Sequence, residues 1–595
     1  MKRAWTVSML LVGLTVLSPT AIGQQAPAKS NVAEAFAAVP ADAWGAVCLR
    51  NMAEVEKKVL NIATKFGAPP MSPLMMAKEQ LGLASGVNDA GNLLLVVLPS
   101  ETIDAIKQNL ALLVPTTDYS ELTSMMQLEP VEGEGGAVSQ TLLQEQMWYI
   151  APKGNLAVVS PSLEAVKKVI DVKAGTAKAL TPYQLERAGE DDLTVWVNAA
   201  AVTSAPAIAP FFAMLQAMGA DAEAMKSIKA IKSLQVGLQI TPAGIRLGYY
   251  SDAKEGTDVA ELMASVKGTT DPLLTGLPNE AFILAFGWMP GKEISEYMAE
   301  HIGRMFDNPQ LAAAPLDLEK VEQLKGKLKA MISPMRGVAV EVSALPGGPD
   351  GLIGFSKVVT VDGDARAVLT SFSELVEVIK GGLITDEQAN DWLQYFEYKP
   401  GAETVDGMSV DHFVVKLDDI EDIDEEDLET VKGVIGQAGV LFRVAAADAN
   451  HVVATFGGGS ARLKTVADLV KSDRAPLADD VGIKNTAKAL PERRYSELYL
   501  ALDTLLRLLV DVGKVVDEPF PVSVPPIGAP IGAASGMVGK DGQQTDVFIP
   551  MELVLAAPDV VRTLMQGGTP PSATEPSAPA EPSAPTEPVP PPEAE

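Results

Sequence analysis

The stretches Met147–Val172, MWYIAPKGNLAVVSPSLEAVKKVIDV, and Val440–Lys471, VLFRVAAADANHVVATFGGGSARLKTVADLVK, describe one unit twice. Each holds two apolar runs of strand length around a tight turn, followed at once by apolar residues at helical spacing. The turns are Pro152-Lys153-Gly154-Asn155 and Asp448-Ala449-Asn450. Gly and Asn there accept the positive φ that a tight hairpin needs. In the first copy Ser160 is the expected helix cap and Pro161 the first helical residue, where a missing N–H costs nothing.

Other blocks repeat in the same order on both sides of this pair. AAVPADAWGAVCLRNMAEVEKKV and TGLPNEAFILAFGWMPGKEISEYM each read as a loop with proline, an apolar strand and a helix. NLLLVVLPSETIDAIKQNLALLVP and GFSKVVTVDGDARAVLTSFSELVEVIKGG each read as a strand, a polar turn and an amphipathic helix. DLTVWVNAAAV pairs with YSELYLALDTL as strand into helix. The last pair comprises hairpins turned at Pro242-Ala243-Gly244 and Asp541-Gly542, each with a helix after it. The fold class expected is α+β: two related halves of antiparallel hairpins with connecting helices, 30–268 and 272–567. The halves are expected to meet through a pseudo-two-fold or a continuous sheet. Two helical segments, 206–234 and 299–332, fall outside the repeated blocks.

The ends differ in kind. Lys2 and Arg3, the apolar run to Leu17 and the small residues before Gln24 read as a signal peptide over 1–23. The run falls short of the ~20 residues that span a bilayer, and no Cys follows it for lipid attachment. No later stretch is apolar for long enough to cross a membrane, so the mature chain is expected to have no transmembrane segment. Residues 568–595 contain ten prolines and no Lys or Arg, with glutamates at 575, 581, 587 and 593, and read as a disordered, extended tail. Export to the periplasm or exterior is the expected address.

The formal charge is −30, which repels nucleic acid and anionic headgroups, so no nucleic-acid partner is expected. The partner expected is a protein or envelope component, with the oligomeric state left open. The lone cysteine, Cys48, lies in an apolar run and reads as a buried strand thiol.

No catalytic constellation emerges, and no cofactor is expected. The three histidines, His301, His412 and His451, lack metal spacing; the two in strands are close enough in the block order to approach in space. Gly457-Gly458-Gly459-Ser460 lies between strand and helix, a place that suits an anion or simply a flexible connection. The block Asp418–Glu429 has nine acids in twelve; Asp422, Asp424 and Glu426 alternate like calcium ligands but lack the required glycine and twelfth-position glutamate. They stand as candidate metal ligands beside the simpler reading of a solvated helix start. Met214, Met218 and Met225, at helical spacing on one face, are the candidate apolar-ligand residues.

These openings, Val39-Pro40-Ala41-Asp42 and Leu277-Pro278-Asn279-Glu280 before apolar strands, and hairpin-helix blocks such as 156–172, resemble a group of uncharacterised exported bacterial proteins with domains of unknown function. The resemblance implies export and a duplicated α+β body; it brings no catalytic residue. The function expected is that of a non-enzymatic binding or structural protein of the cell envelope or exterior. The alternatives are a carboxylate-based hydrolase or an apolar-ligand carrier using the groove between the halves.

Overall fold

A computed structural model describes residues 32–557 except 68–71, 82–84, 125, 135, 144–145, 174, 219–221, 290, 307–315, 384–392, 421–424, 518–523 and 525–526. The expected signal peptide and tail lie outside the described residues. Helices and one antiparallel sheet of twenty strands make up the described chain, an α+β fold.

Ten strands fall in the first half: β1 Gly45–Leu49, β2 Leu93–Val97, β3 Leu110–Pro115, β4 Glu129–Pro130, β5 Ser139–Leu143, β6 Gln146–Lys153, β7 Leu156–Ser160, β8 Leu193–Val197, β9 Ile231–Ile240 and β10 Gly244–Ala253. Ten fall in the second: β11 Phe282–Trp288, β12 Met335–Ala344, β13 Ile353–Val361, β14 Phe396–Val405, β15 Met408–Val415, β16 Val440–Ala446, β17 His451–Phe456, β18 Ser496–Leu500, β19 Ile531–Val538 and β20 Gly542–Pro550. The pairings place the first ten in the spatial order 4-5-6-7-3-2-1-8-9-10. From the other edge, the second ten run 14-15-16-17-13-12-11-18-19-20. Each position in one order is ten strands later in the other. The halves join where β10 pairs with β20.

The register matches as well as the order. Trp196 in β8 stands opposite Ala46, and Tyr499 in β18 stands opposite Ala285. Both rings are almost fully buried, at 2% and 0% exposure. Counting outward from these two residues through β9 and β19 brings Gly248 and Asp546 to the same place in their halves. These two residues pair with each other, so a pseudo-two-fold passes between them.

Side chains alternate across the strands, so the sheet has two faces. One carries the two largest core clusters, while the other carries smaller ones, such as Val359 and Ala454 with Ala365 and Leu369, and Val342 and Ile353 with Leu508. In the first half Cys48, Leu94, Val96, Leu113 and Trp196 pack under Val166 and Val169 of the helix Leu163–Ile170 and Ala188 of the helix Pro182–Glu190. In the second, Ala339, Val453 and Tyr499 pack under Leu463, Val466 and Val470 of the helix Gly459–Lys471. Burial pushes the Cys48 thiol up to about 12, which keeps it protonated and unreactive.

Several local expectations need correction. Leu110–Pro115, expected as the end of a helix, is strand β3, hydrogen-bonded between β2 and β7. An apolar run buried on both faces loses the period-two signal that separates strand from helix. Its counterpart is β13, so the structural match to β2 is β12, not the strand GFSKVVTV. Ser160 does not cap a helix: it ends β7, buried, donating its hydroxyl to Leu110 O. The cap is Ser162, whose side chain accepts from Ala165 N, and the helix begins at Leu163, beyond Pro161.

Candidate binding face and the charges behind it

The second sheet face is the unusual one. Cross-strand register sets its side chains in rows. One row begins at Lys357 in β13 and runs through Val340, Phe286, Leu498, Ala533 and Val547. It crosses the dyad to Leu247 and continues through Leu238, Leu193, Leu49 and Leu93 to Val114. The adjacent row holds Val338, Trp288, Ser496, Ser535 and Thr545, then Tyr249, Val236, Val195, Val47, Leu95 and Leu112. Across twelve strands Lys357 is the one charged side chain in these two rows.

A solvated sheet face is normally polar. Here most residues are apolar, with Ser496, Ser535 and Thr545 among them, yet incompletely covered: most of those on the central strands are half-buried, where their neighbours on the core face are fully buried. Coverage is thinnest beside the dyad, where Val236, Leu247 and Tyr249 are 43%, 41% and 42% exposed. Register makes these three immediate neighbours: Val236 faces Tyr249, and Leu247 is two residues along the same strand. The three form a contiguous apolar patch.

Helices at the strand ends add more exposed apolar groups. Phe211 and Met214 of the helix Ala209–Ala217, and Met218 just after it, are well exposed. Met225 lies on a separate helix, Ala222–Ala230, and is buried. The three candidate methionines therefore do not share one helical face. The first helix ends at Ala217, so the spacing that linked them in sequence is not continued.

Lys357 has no hydrogen-bond or ion-pair partner among the described residues, and burial alone pushes its ammonium below the usual lysine range. Its neighbours across the sheet are Val340 and Ala454.

Behind the dyad, the core face carries an ionic cluster instead of an open groove. Arg187, from the helix Pro182–Glu190, reaches Asp546 of the other half at 2.9 Å. Arg246 of β10 reaches Glu190 at 3.2 Å and Asp191 at 3.5 Å. Burial pushes Asp191 up to about 6, against the pull of Arg187 and Arg246, and raises Asp546 as well. Gly248 leaves room for the Arg187 guanidinium, and Gly237 for the Asp191 carboxylate, which a Cβ there would meet. The cavity among these residues is about 10 Å³, room for roughly one water. Paired carboxylates exist at the junction, but each is held by arginine and no substrate-sized space separates them.

A second buried cluster lies in the second half. Arg462, 4% exposed, donates to Glu280 at 2.6 Å, to Ser343 at 2.8 Å and to Ser356 at 2.9 Å, and pairs with Glu341 at 3.4 Å. Burial pushes Glu341 up to about 8 despite Arg462.

The other sequence candidates find separate partners. His412 and Arg443 both reach Glu403 Oε2 at 3.1 Å, and Ser460 donates to the other oxygen of the same carboxylate. The protein's own Glu403 thus sits beside the glycine-led helix start. Gly457, Gly458 and Gly459 all have left-handed φ, and a Cβ on Gly457 would strike the Ile353 carbonyl. His451 meets Asp448 at 2.9 Å, and His301 stacks on Tyr297. The two strand histidines therefore do not converge. Glu426 lies exposed on the helix Glu425–Ile435, while Asp422 and Asp424 lie outside the described residues. Among the described residues no three His, Cys, Asp or Glu are grouped to hold a metal ion. No described helix is long and apolar enough to cross a membrane.

No family model and no curated protein matches the chain. Solved structures of TP0453 show weak likeness. Crystal form III has a TM-score of 0.20 at 9% identity, covering 50% of this chain and 99% of that one. Crystal form IV gives 0.21 at 12% identity, covering 50% and 98%.

Proposed function

We propose that this chain is an exported, non-enzymatic binding protein of the cell envelope or exterior, built by duplication, which holds an apolar partner on the open face of its sheet. The observation that carries the reading is the charge-free apolar surface beside the dyad, centred on Val236, Leu247 and Tyr249. Export rests on the amino-terminal pattern of Lys2, Arg3 and an apolar run. The common strand order and register of the halves support duplication. The arginine-clamped carboxylates at the junction weigh against the hydrolase alternative.

The test is binding of Nile red, a neutral apolar dye, to the purified chain. Wild type should raise and blue-shift the dye's emission. Leu247→Glu should weaken binding about tenfold while leaving the thermal transition nearly unchanged, since residue 247 is already exposed. Dye binding that is absent from wild type, or untouched by Leu247→Glu, would overturn the reading.

A further inference from the structure

Lys357 stands where the apolar row passes on to Ala454 and Val444 beneath the helix Ala365–Val378, and its situation needs an explanation. A lysine amid Val, Phe and Ala loses hydration, and the usual remedy is an acidic partner or an exposed head group. Among the described residues no acid reaches it, although the chain carries 77 acidic residues to choose from. Arg462, which is buried, has Glu280 and Glu341, and Arg187, half-buried like Lys357, has Asp546. Among the described residues Lys357 stands in this row, beside the helix that covers Ala454 and Val359, with its charge unanswered.

Resting on the reading of this face as a binding surface, we infer that the occupant is a single-chain amphiphile with one carboxylate, a long-chain fatty acid. Its head pairs with the Lys357 ammonium and its tail lies along the row toward the dyad. The dimensions agree. One acyl chain is about 15 Å long, half the ~30 Å hydrocarbon core of a bilayer. That length covers three strands at about 4.8 Å each. From Lys357 these are β12, β11 and β18, which present Val340, Phe286 and Leu498 in line. The row beside them adds Val338 and Trp288, so the chain meets apolar contacts on its flank as well. The net charge of −30 repels an anionic membrane surface. One carboxylate at one ammonium is the form of anionic lipid this surface accepts.

The experiment compares palmitate with hexadecanol, each titrated calorimetrically into the full chain below its own aggregation concentration. The pair share a tail and differ in the head. Wild type should prefer palmitate by about tenfold, the worth of a charge-assisted contact. Lys357→Met should bring palmitate to the level of hexadecanol with hexadecanol unchanged, and Lys357→Arg should keep the preference. Methionine fits a half-buried apolar position, so the first variant should fold. Equal binding of the two ligands by wild type, or a preference that survives Lys357→Met, overturns the carboxylate inference while the apolar face stands. Failure of both ligands to bind overturns it as well. Failure of wild type to bind dye at all removes the underlying reading with it.

Discussion

Gly248 and Asp546 occupy the same place in their respective halves and face each other across the strand pair that unites them. A strict two-fold would put the same side chain at both. Here one is glycine and the other an acid, and the asymmetry has a steric cause. A Cβ at 248 would lie 2.5 Å from an Arg187 nitrogen and 2.8 Å from Asp546 Oδ1. The missing side chain is the space through which Arg187 reaches across the dyad.

Gly248→Ala should therefore destabilise the protein by about 1–3 kcal/mol through overpacking against the ion pair. A lower denaturation midpoint in urea with an unchanged slope is the expected record. Gly539→Ala makes a poor control because φ there is positive, whereas Gly189→Ala meets nothing within 4 Å and serves well.

Above pH 8, where Glu341 is ionised, Arg462→Met should cost about 3–5 kcal/mol, because it leaves that carboxylate in the core without its cation and strips donors from Ser343 and Ser356. Replacing Glu341 by leucine in the same chain should restore most of the loss, since both charges are then gone. Thermal denaturation of the single and double variants decides the matter.

Glu341 also sets a pH dependence. Its folded value of about 8 lies above the ordinary 4.5 of an unfolded glutamate, so the folded state binds the extra proton. Stability from this group is then fully present below about 4.5 and falls as pH rises toward 8. Glu341→Gln should flatten the decline of the melting temperature between pH 5 and 8.5. An equal decline in wild type and variant would show that the group titrates normally.

The helix Leu163–Ile170 offers a test of its start. Ser162→Ala should cost about 1 kcal/mol and Ser162→Gly only a few tenths, the pattern expected of a cap. Chemical denaturation of the two variants resolves the difference.

Much of the fold was legible from turn chemistry. The hairpin turns at Gly154-Asn155, 448–450, 242–244 and 541–542 all fall between paired strands, as Gly, Asn and Asp in those places require. Strand β3 was not, because LALLVP is apolar on both faces and carries no period. The candidate binding face was hidden for a different reason. Each strand contributes two or three apolar residues that look like core, and only the register of twelve strands shows them on one incompletely covered surface. Lys357 did leave a trace: in IGFSKVVTV it is flanked at two-residue spacing by Phe355 and Val359, a charge on the apolar side of the alternation. The methionine candidates, by contrast, rested on a helical period that the chain breaks after Ala217.

The joining of β10 to β20 also governs how the molecule is assembled. These partners meet only after some 300 intervening residues have been made and ordered, whereas every other strand pairs within its own half. Each half can close its sheet from nearer contacts, and the central seam is sealed last. Until then β10 is a free edge ten residues long that accepts a β20 from any copy of the chain. At high concentration refolding should accordingly yield exchanged dimers, and dilution should favour the monomer.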